Sequence, residues 1–300
     1  MSKNFKLTDL IKLIFDHVSK YNKEKDFQKA SDELEYIIFN LSLDDFVPLI
    51  TKIGIIPEKI EHDSKEEKLF TKVAEIFLAR CFQEIGLKSS IYTTRGNTAD
   101  VFAESIFHNY TLVADSKSFR LSRTAKNQKD FKVESLNAWK NENDFAILCC
   151  PYFQYPKKKS AIYKQALEYN VALFSWEHFS FLIENNIKED FDNNLSKIWN
   201  FSFEHAENVT FKESDKCFLK EQNIFLIKNI NLSIDKLEES FEKFKEKTIK
   251  RGNKEIDYWQ EKIEKIKKYS KKEAIDELIK SLKLKEKIKT IQKYINDLEK

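Results

Sequence analysis

Three patterns in the sequence indicate an α/β fold with a mixed sheet: a helix, a β-hairpin after it, and two buried strands separated by a helix. A helical pattern over residues 64–85 precedes a stretch that alternates like a β-hairpin. The continuous apolar runs Phe145–Cys150 and Val171–Trp176 suit buried strands, and a helical pattern over Ser160–Glu168 separates them. The resulting order of helix, hairpin strands, strand, helix and strand is that of an α/β core with a mixed sheet.

Helical patterns flank this core at both ends of the chain. Apolar residues recur at helical spacing over Leu7–Val18 and Phe27–Leu41. From about Asp215 the pattern is helical to the end, and Ile256–Tyr269 and Lys272–Leu298 place their apolar residues on one face. We therefore predict three parts: an N-terminal helical segment (1–60), the α/β core (61–205) and a C-terminal helical subdomain (206–300) that packs on the core or on a partner.

Composition limits the classes of function. The chain has 300 residues, of which 41% are apolar and 34% charged, and its net charge is only +3, so any nucleic-acid surface must be local. The four cysteines show no metal or disulfide spacing, and Cys149-Cys150 is expected to be reduced core. We find no signal-peptide pattern and no apolar run of about 18 residues, so we expect a cytoplasmic protein with no membrane contact.

The hairpin brings together three residues that can do chemistry. Its strands are predicted over Asp100–Ile106 and Thr111–Phe119. A turn centred between Phe107 and His108 sets Asp100 opposite Asp115, with Cβ atoms about 5 Å apart. Lys117 lies two residues beyond Asp115, so it projects from the same face.

Two carboxylates and one ammonium group suit phosphodiester hydrolysis. Mg²⁺ prefers oxygen ligands and commonly uses one or two carboxylates together with substrate phosphate, so Asp100 and Asp115 are candidate metal ligands. Lys117 would hold the attacking water or stabilise the developing negative charge. The alternative is that the two aspartates are turn residues at strand ends and that Lys117 is a solvated edge charge.

Two further acidic residues compete for a place in this site. Asp130-Phe131-Lys132 repeats the Asp-x-Lys spacing, although no hairpin mirrors Asp115 onto Asp130, so we treat Asp130 as a secondary metal ligand. Glu67 could also supply a carboxylate to the metal, but Ser64 and Glu67 fit a helix capping box, which is the role we favour. Glu75 and Glu84 are interpreted as solvated helix residues.

A basic segment follows the hairpin. Arg or Lys recurs every third residue from Lys117 to Lys132, interleaved with Ser, Thr, Asn and Gln. Lys and Arg neutralise phosphates, whereas Arg, Asn and Gln can read purine edges in the major groove. The candidate DNA-binding residues are therefore Arg120, Arg123, Lys126, Asn127, Gln128, Lys129 and Lys132. A solvated charged face is the alternative.

Long runs of residues resemble the HindIII-like type II restriction endonucleases, which belong to the PD-(D/E)xK nuclease superfamily. The resemblance is carried by SFRLSRTAKNQKDFKV (Ser118–Val133), RGNTAD (Arg95–Asp100), EEKLF (Glu66–Phe70), GIIPE (Gly54–Glu58) and the segments Tyr152–Pro156 and Leu173–His178. These motifs occur in the family's order and nearly its spacing. The likeness is clear over roughly residues 35 to 200.

The resemblance implies a restriction-endonuclease-like αβββαβ core and a Mg²⁺-dependent homodimer that cuts both strands of double-stranded DNA at a short palindrome. AAGCTT with 5′ overhangs is the implied site, and a cognate DNA methyltransferase is expected in the same system, though not as a physical partner. Asp100, Asp115 and Lys117 match the motif's two acids and its lysine. The motif's proline is Ala99 here, which leaves the neighbouring ligand unchanged.

Two other functions stay open on the residues alone. A PD-(D/E)xK nuclease of DNA repair or recombination would recognise DNA structure rather than sequence. A DNA-binding module without cleavage is disfavoured because Asp100, Asp115 and Lys117 are all present.

Overall fold

Helices cover both faces of a mixed β-sheet in the computed structural model of this chain, which describes residues 4–21, 27–92, 98–123, 128–157, 160–206 and 211–298. The chain divides into two units, Met1–Ile249 and Lys250–Lys300. The first unit contains the whole sheet. The boundaries at residues 60 and 205 stay predictions.

The described helices and strands have the following bounds. The strands are β1 Lys88–Ile91, β2 Val101–Glu104, β3 Thr111–Ser116, β4 Phe145–Cys150 and β5 Val171–Ser175. The helices are α1 Leu7–Lys20, α2 Phe27–Phe39, α3 Leu43–Ile53, α4 Lys65–Glu84, α5 Gln128–Phe131, α6 Val133–Lys140, α7 Ala161–Tyr169, α8 Trp176–Glu184, α9 Ser196–Trp199, α10 Phe201–Ala206, α11 Phe211–Ile230, α12 Ile234–Lys267, α13 Lys271–Ser281 and α14 Leu284–Leu298.

The strands lie in the order in which they occur along the chain. β1, β2 and β3 pair antiparallel, whereas β3, β4 and β5 pair parallel, so β3 is central and the sheet is mixed. Crossovers that contain α6 and α7 connect the parallel strands, as parallel pairing requires. The predicted α/β class and mixed sheet are confirmed. The order from α4 to β4 follows the αβββαβ pattern, with α5 and α6 at its second helical position, and α7 and β5 come after it.

The sequence pattern missed β1. This strand is Lys-Ser-Ser-Ile at the edge of the sheet, and its side chains alternate between exposed and half-buried. A short polar edge strand carries little of the apolar, β-branched signal by which strands are found. β3 was predicted to reach Phe119 but ends at Ser116, because Phe119 instead forms a bridge with Ile55.

Two apolar layers hold the sheet from opposite faces. Ala114 of β3 lies in the core cluster that contains Phe77 of α4. Its neighbour Val113 lies in the other cluster, with Leu136 of α6 and Tyr163 of α7. Successive residues of a strand point to opposite faces, so the central strand is fastened on both sides. A chain segment at the end of β3 is therefore held by a fixed frame.

The start and end of α4 follow from local chemistry. The Ser64 hydroxyl accepts the Glu67 N–H at 3.1 Å, which is one half of the predicted capping box; the Glu67 carboxylate accepts the Asp63 N–H in place of that of Ser64. Gly86 follows the helix with φ of 89°. A Cβ built there would lie 2.3 Å from the Glu189 carbonyl oxygen, so only glycine fits this exit.

The described helices include none that is both long and apolar enough to cross a membrane.

Candidate active site

The hairpin register places Asp100 opposite Asp115. Val101 pairs with Ala114 and Phe102 with Val113, and the Asp100 N–H donates to the Ala114 carbonyl at 3.0 Å. Continuing this register by one residue matches Asp100 with Asp115. The turn position predicted from sequence is therefore confirmed, and the two acids meet at the end of the central strand.

Hydrogen bonds fix both carboxylates. Asp100 Oδ2 accepts the Ser116 N–H at 2.8 Å and the Ser116 hydroxyl at 3.1 Å. The Lys117 ammonium donates to Asp115 Oδ2. Asp115 is only 2% exposed. The three predicted residues thus form one connected cluster in a buried setting.

The backbone of Lys117 is clamped from two sides. Its N–H donates to the Cys149 carbonyl of β4 at 2.7 Å, and its carbonyl accepts the Trp176 indole N–H at 3.1 Å. Trp176 is fully buried at the start of α8. A residue held at both backbone groups delivers its side chain to one place, which is the preorganisation that a catalytic lysine needs.

Gly54 makes room for that clamp. A Cβ at this position would lie 2.5 Å from Trp176 Cδ1 and 2.8 Å from Pro151 Cγ. The Gly54 carbonyl also accepts the Phe119 N–H at 3.0 Å, and the Ile53 carbonyl accepts the Ser118 hydroxyl at 2.8 Å. The end of α3 therefore supports the segment that leaves β3.

Crowding of buried carboxylates shifts their protonation. Burial, followed by the charges of Asp115 and Glu75, raises the pKa of Asp100 to about 7 from 3.8, while Lys117 opposes the shift. Burial alone would lower the pKa of Lys117, but Asp115 and Asp100 outweigh it and the net pKa is raised. Lys117 therefore remains an ammonium group at neutral pH, whereas Asp100 is partly protonated there.

Glu75 is half-buried and its charge acts on Asp100, which corrects its interpretation as a solvated residue. Its side chain is 16% exposed and pairs with the Lys72 ammonium at 2.5 Å. Its pKa is raised by burial, while Lys72 opposes the shift and the charge of Asp115 adds to it. A usable signal was present in the sequence: Glu75 interrupts the apolar run of α4, most of which is buried from Val73 to Phe82.

Glu67 serves the start of α4 instead. Glu67 Oε1 accepts from the Arg120 guanidinium at 2.7 Å, and Oε2 accepts the Asp63 N–H at 2.7 Å. Glu67 lies eight residues before Glu75, about 12 Å along the helix. His62, Asp63 and Glu67 bring ligand atoms within 4.8 Å of one another, but His62 and Asp63 are exposed and no further feature marks an ion site there. The geometry favours capping and ion pairing for Glu67.

The second Asp-x-Lys motif, Asp130 to Lys132, lies in α5 and at the start of α6 and not in the sheet. Asp130 sits in α5 and accepts from the Arg123 guanidinium at 2.6 Å. Phe131 is fully buried, and Lys132 adopts φ of 51° before α6, with its ammonium 5.3 Å from the Trp139 ring centroid.

The basic segment divides into an inward and an outward part. Arg120 is 12% exposed and donates to Glu67 and to the Pro57 carbonyl, so its hydrogen-bond donors serve the fold. The side chains that face outward are Arg123, Gln128, Lys129 and Lys132. Lys126 and Asn127, also predicted to bind DNA, lie outside the described residues.

His178, in the first turn of α8, has a structural role. It is fully buried, its Nδ1 lies 2.9 Å from the Ser175 hydroxyl, and its Nε2 lies 2.9 Å from Asn223 Oδ1. Burial lowers its pKa to about 4. A neutral imidazole with both nitrogens engaged supports the packing of α8 against α11.

Comparisons with known proteins identify the family. The family model described as HindIII restriction endonuclease matches residues 12–295. The chain is 38% identical over 275 residues to the type II restriction enzyme HindIII of Haemophilus influenzae, covering 92% of each chain. A solved structure of restriction endonuclease FokI is similar over 54% of this chain and 31% of its own, with 12% identity and a TM-score of 0.34, and we infer nothing from that likeness. The chain therefore belongs to the HindIII restriction endonuclease family, and it is a site-specific deoxyribonuclease of type II.

Proposed function

We propose that this enzyme is a Mg²⁺-dependent homodimer that cleaves both strands of double-stranded DNA at AAGCTT and leaves 5′ overhangs. The observation that carries the proposal is the convergence of Asp100, Asp115 and Lys117, with Glu75 beside them, at the end of the central strand. The recognition sequence is carried over from the resemblance to the HindIII-like enzymes.

The donor set fits a hard divalent cation. Asp100 and Glu75 both have raised pKa values because burial and neighbouring carboxylates disfavour their charged forms. A cation placed among these oxygens would relieve that repulsion, and carboxylate oxygens are the ligands that Mg²⁺ takes. Asp100 and Asp115 would hold the metal, and because the ligand oxygens of Asp100, Asp115 and Glu75 do not all lie within 4.8 Å of one another, Glu75 would act through its charge.

When bound, Mg²⁺ would acidify a water molecule and neutralise charge on the phosphate under attack. Lys117 supplies the fixed positive charge of the protein itself. Its side chain is 14% exposed, its ammonium group is protonated, and its backbone is held by Cys149 and Trp176. Such a group can orient the attacking water and stabilise charge that develops on the phosphate without having to rearrange.

The outward part of the basic segment is the proposed DNA contact. Arg123 and Gln128 can pair with purine edges, whereas Lys129 and Lys132 can neutralise phosphates. The basic segment starts at Lys117 itself. The hydrogen bonds of Ser118 to the end of α3 and of Arg120 to Glu67 would hold the base-reading residues next to the active site. Lys126 and Asn127 remain candidate readers within the same segment.

Two-fold symmetry follows from a palindromic site. Each strand of AAGCTT presents the same sequence, so two copies related by a two-fold axis would give each strand one active site. The chain carries one Asp100–Asp115–Lys117 cluster, which matches one site per copy.

The test compares two plasmids that differ by one base pair, with and without a single AAGCTT. Purified wild-type enzyme should linearise the first plasmid in Mg²⁺, leave the second intact, and cut neither in EDTA. Sequencing the ends should map 5′ overhangs. A smear, or cutting confined to branched DNA, would overturn the proposal in favour of a structure-specific nuclease.

A further inference from the structure

A buried carboxylate outside the active site is hydrogen-bonded to the basic segment. Glu58 lies in the loop that joins α3 to α4, residues 54–64, and is only 5% exposed. Glu58 Oε1 accepts the Ser122 N–H at 3.1 Å, and Oε2 accepts the Ser122 hydroxyl at 2.9 Å. A glutamate is rarely this buried unless its charge has a specific interaction, so the pair of bonds to Ser122 needs an explanation.

The α3–α4 loop runs alongside the start of the basic segment. The Gly54 carbonyl accepts the Phe119 N–H at 3.0 Å, and the Ile56 N–H donates to the Phe119 carbonyl at 3.2 Å. These are backbone bonds, which any residue type could make at the same positions. Glu58 extends the contact to Ser122, three residues farther along the segment, and does so with a side chain. The identity of residue 58 therefore decides whether the loop holds the segment as far as Ser122.

Ser122 directly precedes Arg123, the first outward-facing residue of the basic segment. The Arg123 N–H donates to the Arg120 carbonyl at 3.3 Å, which closes a turn that contains Ser122. The Arg123 side chain is 45% exposed. A bidentate contact between a guanidinium group and a base edge has strict geometry, so it depends on where the backbone places the arginine. Fixing both donor groups of Ser122 fixes the point from which Arg123 projects.

The charge of Glu58 would by itself oppose DNA binding. A carboxylate beside a segment that neutralises phosphates repels those phosphates, so its charge cannot serve the electrostatic part of the contact. The same charge strengthens the hydrogen bonds that it accepts from Ser122, because charge-assisted bonds are roughly twice as strong as neutral ones. Positioning of the segment accounts for a negative charge at this place, whereas attraction of DNA does not.

We propose that Glu58 is a positioning residue for base recognition, which holds Ser122 so that Arg123 meets the DNA in a fixed geometry. The proposal rests on the proposed function, in which the outward part of the basic segment contacts the DNA. Glu58 acts through Ser122 and contacts neither the substrate nor the metal. Because the backbone of Lys117 is held by other contacts, loss of Glu58 should impair discrimination between DNA sequences more than the cleavage step.

Equilibrium binding of the full chain to related duplexes tests this role. The dissociation constant is measured for AAGCTT and for duplexes changed symmetrically at each position of its half-site, with Ca²⁺ in place of Mg²⁺. The ratio of the altered to the AAGCTT constant is the discrimination at that position. Glu58→Ala should lower this ratio by about tenfold or more at one position at least, which is the share of one well-read base pair. The fall should exceed any fall in the single-turnover rate at saturating enzyme in Mg²⁺.

Glu58→Gln separates hydrogen bonding from charge. Its amide can accept the Ser122 N–H and donate to the Ser122 hydroxyl oxygen, so discrimination should stay within about threefold of wild type. Glu61→Gln removes the same charge from an exposed side chain of the same loop, and it measures how far loss of a negative charge tightens binding to every duplex. If Glu58→Gln loses as much discrimination as Glu58→Ala, positioning through these hydrogen bonds is overturned.

Three further variants separate positioning from a loss of stability. Ser122→Ala removes one of the two donors and should lower discrimination by a smaller factor, whereas Ser122→Thr keeps both donors and should behave like wild type. Ser202→Ala removes a buried hydrogen bond to the Val171 carbonyl at the start of β5, so it should lower Tm without lowering discrimination. Equal discrimination by wild type and a folded Glu58→Ala, or an equal loss in Ser202→Ala, would overturn the inference. If Glu58→Ala does not fold, unchanged discrimination by Ser122→Ala would overturn it instead.

Failure of this inference and failure of the proposed function give different results. Discrete cleavage at AAGCTT by wild type, together with undiminished discrimination by Glu58→Ala, would overturn only the role of Glu58. A wild-type enzyme that neither cuts AAGCTT nor prefers it to a scrambled duplex would overturn the proposed function, and with it the recognition that Glu58 is proposed to support.

Discussion

The Asp100 carboxylate accepts the backbone N–H of Ser116 at 2.8 Å. Ser116 directly follows Asp115, so the first acid of the cluster is tied to the backbone that positions the second. The bond opposes the rise in the pKa of Asp100, yet burial and the charges of Asp115 and Glu75 outweigh it. The positions of the two aspartates are thus fixed, while their negative charges repel each other. Binding of a cation would relieve this repulsion.

Asp100→Asn should stabilise the metal-free protein at alkaline pH. The folded pKa of about 7 lies above the ordinary 3.8, so between these values the folded chain retains a proton that the unfolded chain has released. Stability contributed by this group therefore falls as pH rises from about 4 to about 7. One pKa unit corresponds to about 1.4 kcal/mol, so the gain should be at most a few kcal/mol.

Thermal melts in EDTA at pH 4.5 and pH 8 measure this effect. Asp100→Asn should raise Tm at pH 8 and change it little at pH 4.5. An Asp100→Asn variant less stable than wild type at pH 8 would show that the charge crowding has been misassigned.

Glu75→Gln should impair cleavage more than Glu67→Gln, although both residues lie on α4. Glu75 faces the carboxylate cluster, and loss of a residue that supports a metal site typically costs about 10–100-fold in metal affinity or activity. Glu67→Gln removes the ion-pair partner of Arg120 and should mainly lower Tm. Cleavage rates measured over a Mg²⁺ titration give the comparison, and equal rates for the two variants would remove Glu75 from the site.

Gly54→Ala should lower both stability and cleavage. The added methyl group would meet Trp176 Cδ1 at 2.5 Å, and Trp176 holds the carbonyl of Lys117. Gly252→Ala is the matched control, because Gly252 lies inside α12, where alanine is favoured by about 1 kcal/mol. Gly54→Ala should lower Tm, whereas Gly252→Ala should raise it. Single-turnover cleavage should be slowed by Gly54→Ala and not by Gly252→Ala. Unchanged cleavage by Gly54→Ala would refute the clamp.

Residues of the basic segment should separate into phosphate anchors and base readers. Lys129→Ala should weaken binding to AAGCTT and to a scrambled duplex about equally and lower the salt slope by about one. At least one of Arg123→Ala and Gln128→Ala, or of alanine variants at Lys126 and Asn127, should cost about 1–3 kcal/mol on AAGCTT alone. Titrations at two salt concentrations distinguish these effects. If every variant weakens both duplexes equally, recognition lies elsewhere.

The hairpin could be predicted because its register depends on local pattern and turn position. The turn between Phe107 and His108 was enough to set Asp100 opposite Asp115. The buried strands β4 and β5 could also be predicted, since each is a continuous apolar run that ends at residues typical of a turn or a helix start. Elements whose residue chemistry and burial agree can be located from sequence.

The predictions that failed concern residues whose environment is set by segments distant in sequence. Glu75 is a charged residue of a type common on helix surfaces, but the fold buries part of it and brings it within electrostatic range of Asp115. Arg120 belongs to a basic repeat, yet Glu67, 53 residues earlier, takes its guanidinium. The contacts that decide both roles are long-range. No local spacing encodes that of Arg120, whereas Glu75 is marked only by its position in the apolar run of α4.

The most direct test of the account compares the two Asp-x-Lys aspartates under one substitution. Asp115→Asn and Asp130→Asn should be assayed side by side for single-turnover cleavage of an AAGCTT duplex and for binding of the same duplex. We predict that Asp115→Asn loses at least about 100-fold in cleavage while binding is largely retained, as expected when a positioned electrostatic group is removed. Asp130→Asn should cut at a rate much closer to wild type. If Asp130→Asn is instead the less active enzyme with folding unchanged, the assignment of the active site to Asp100, Asp115 and Lys117 is contradicted.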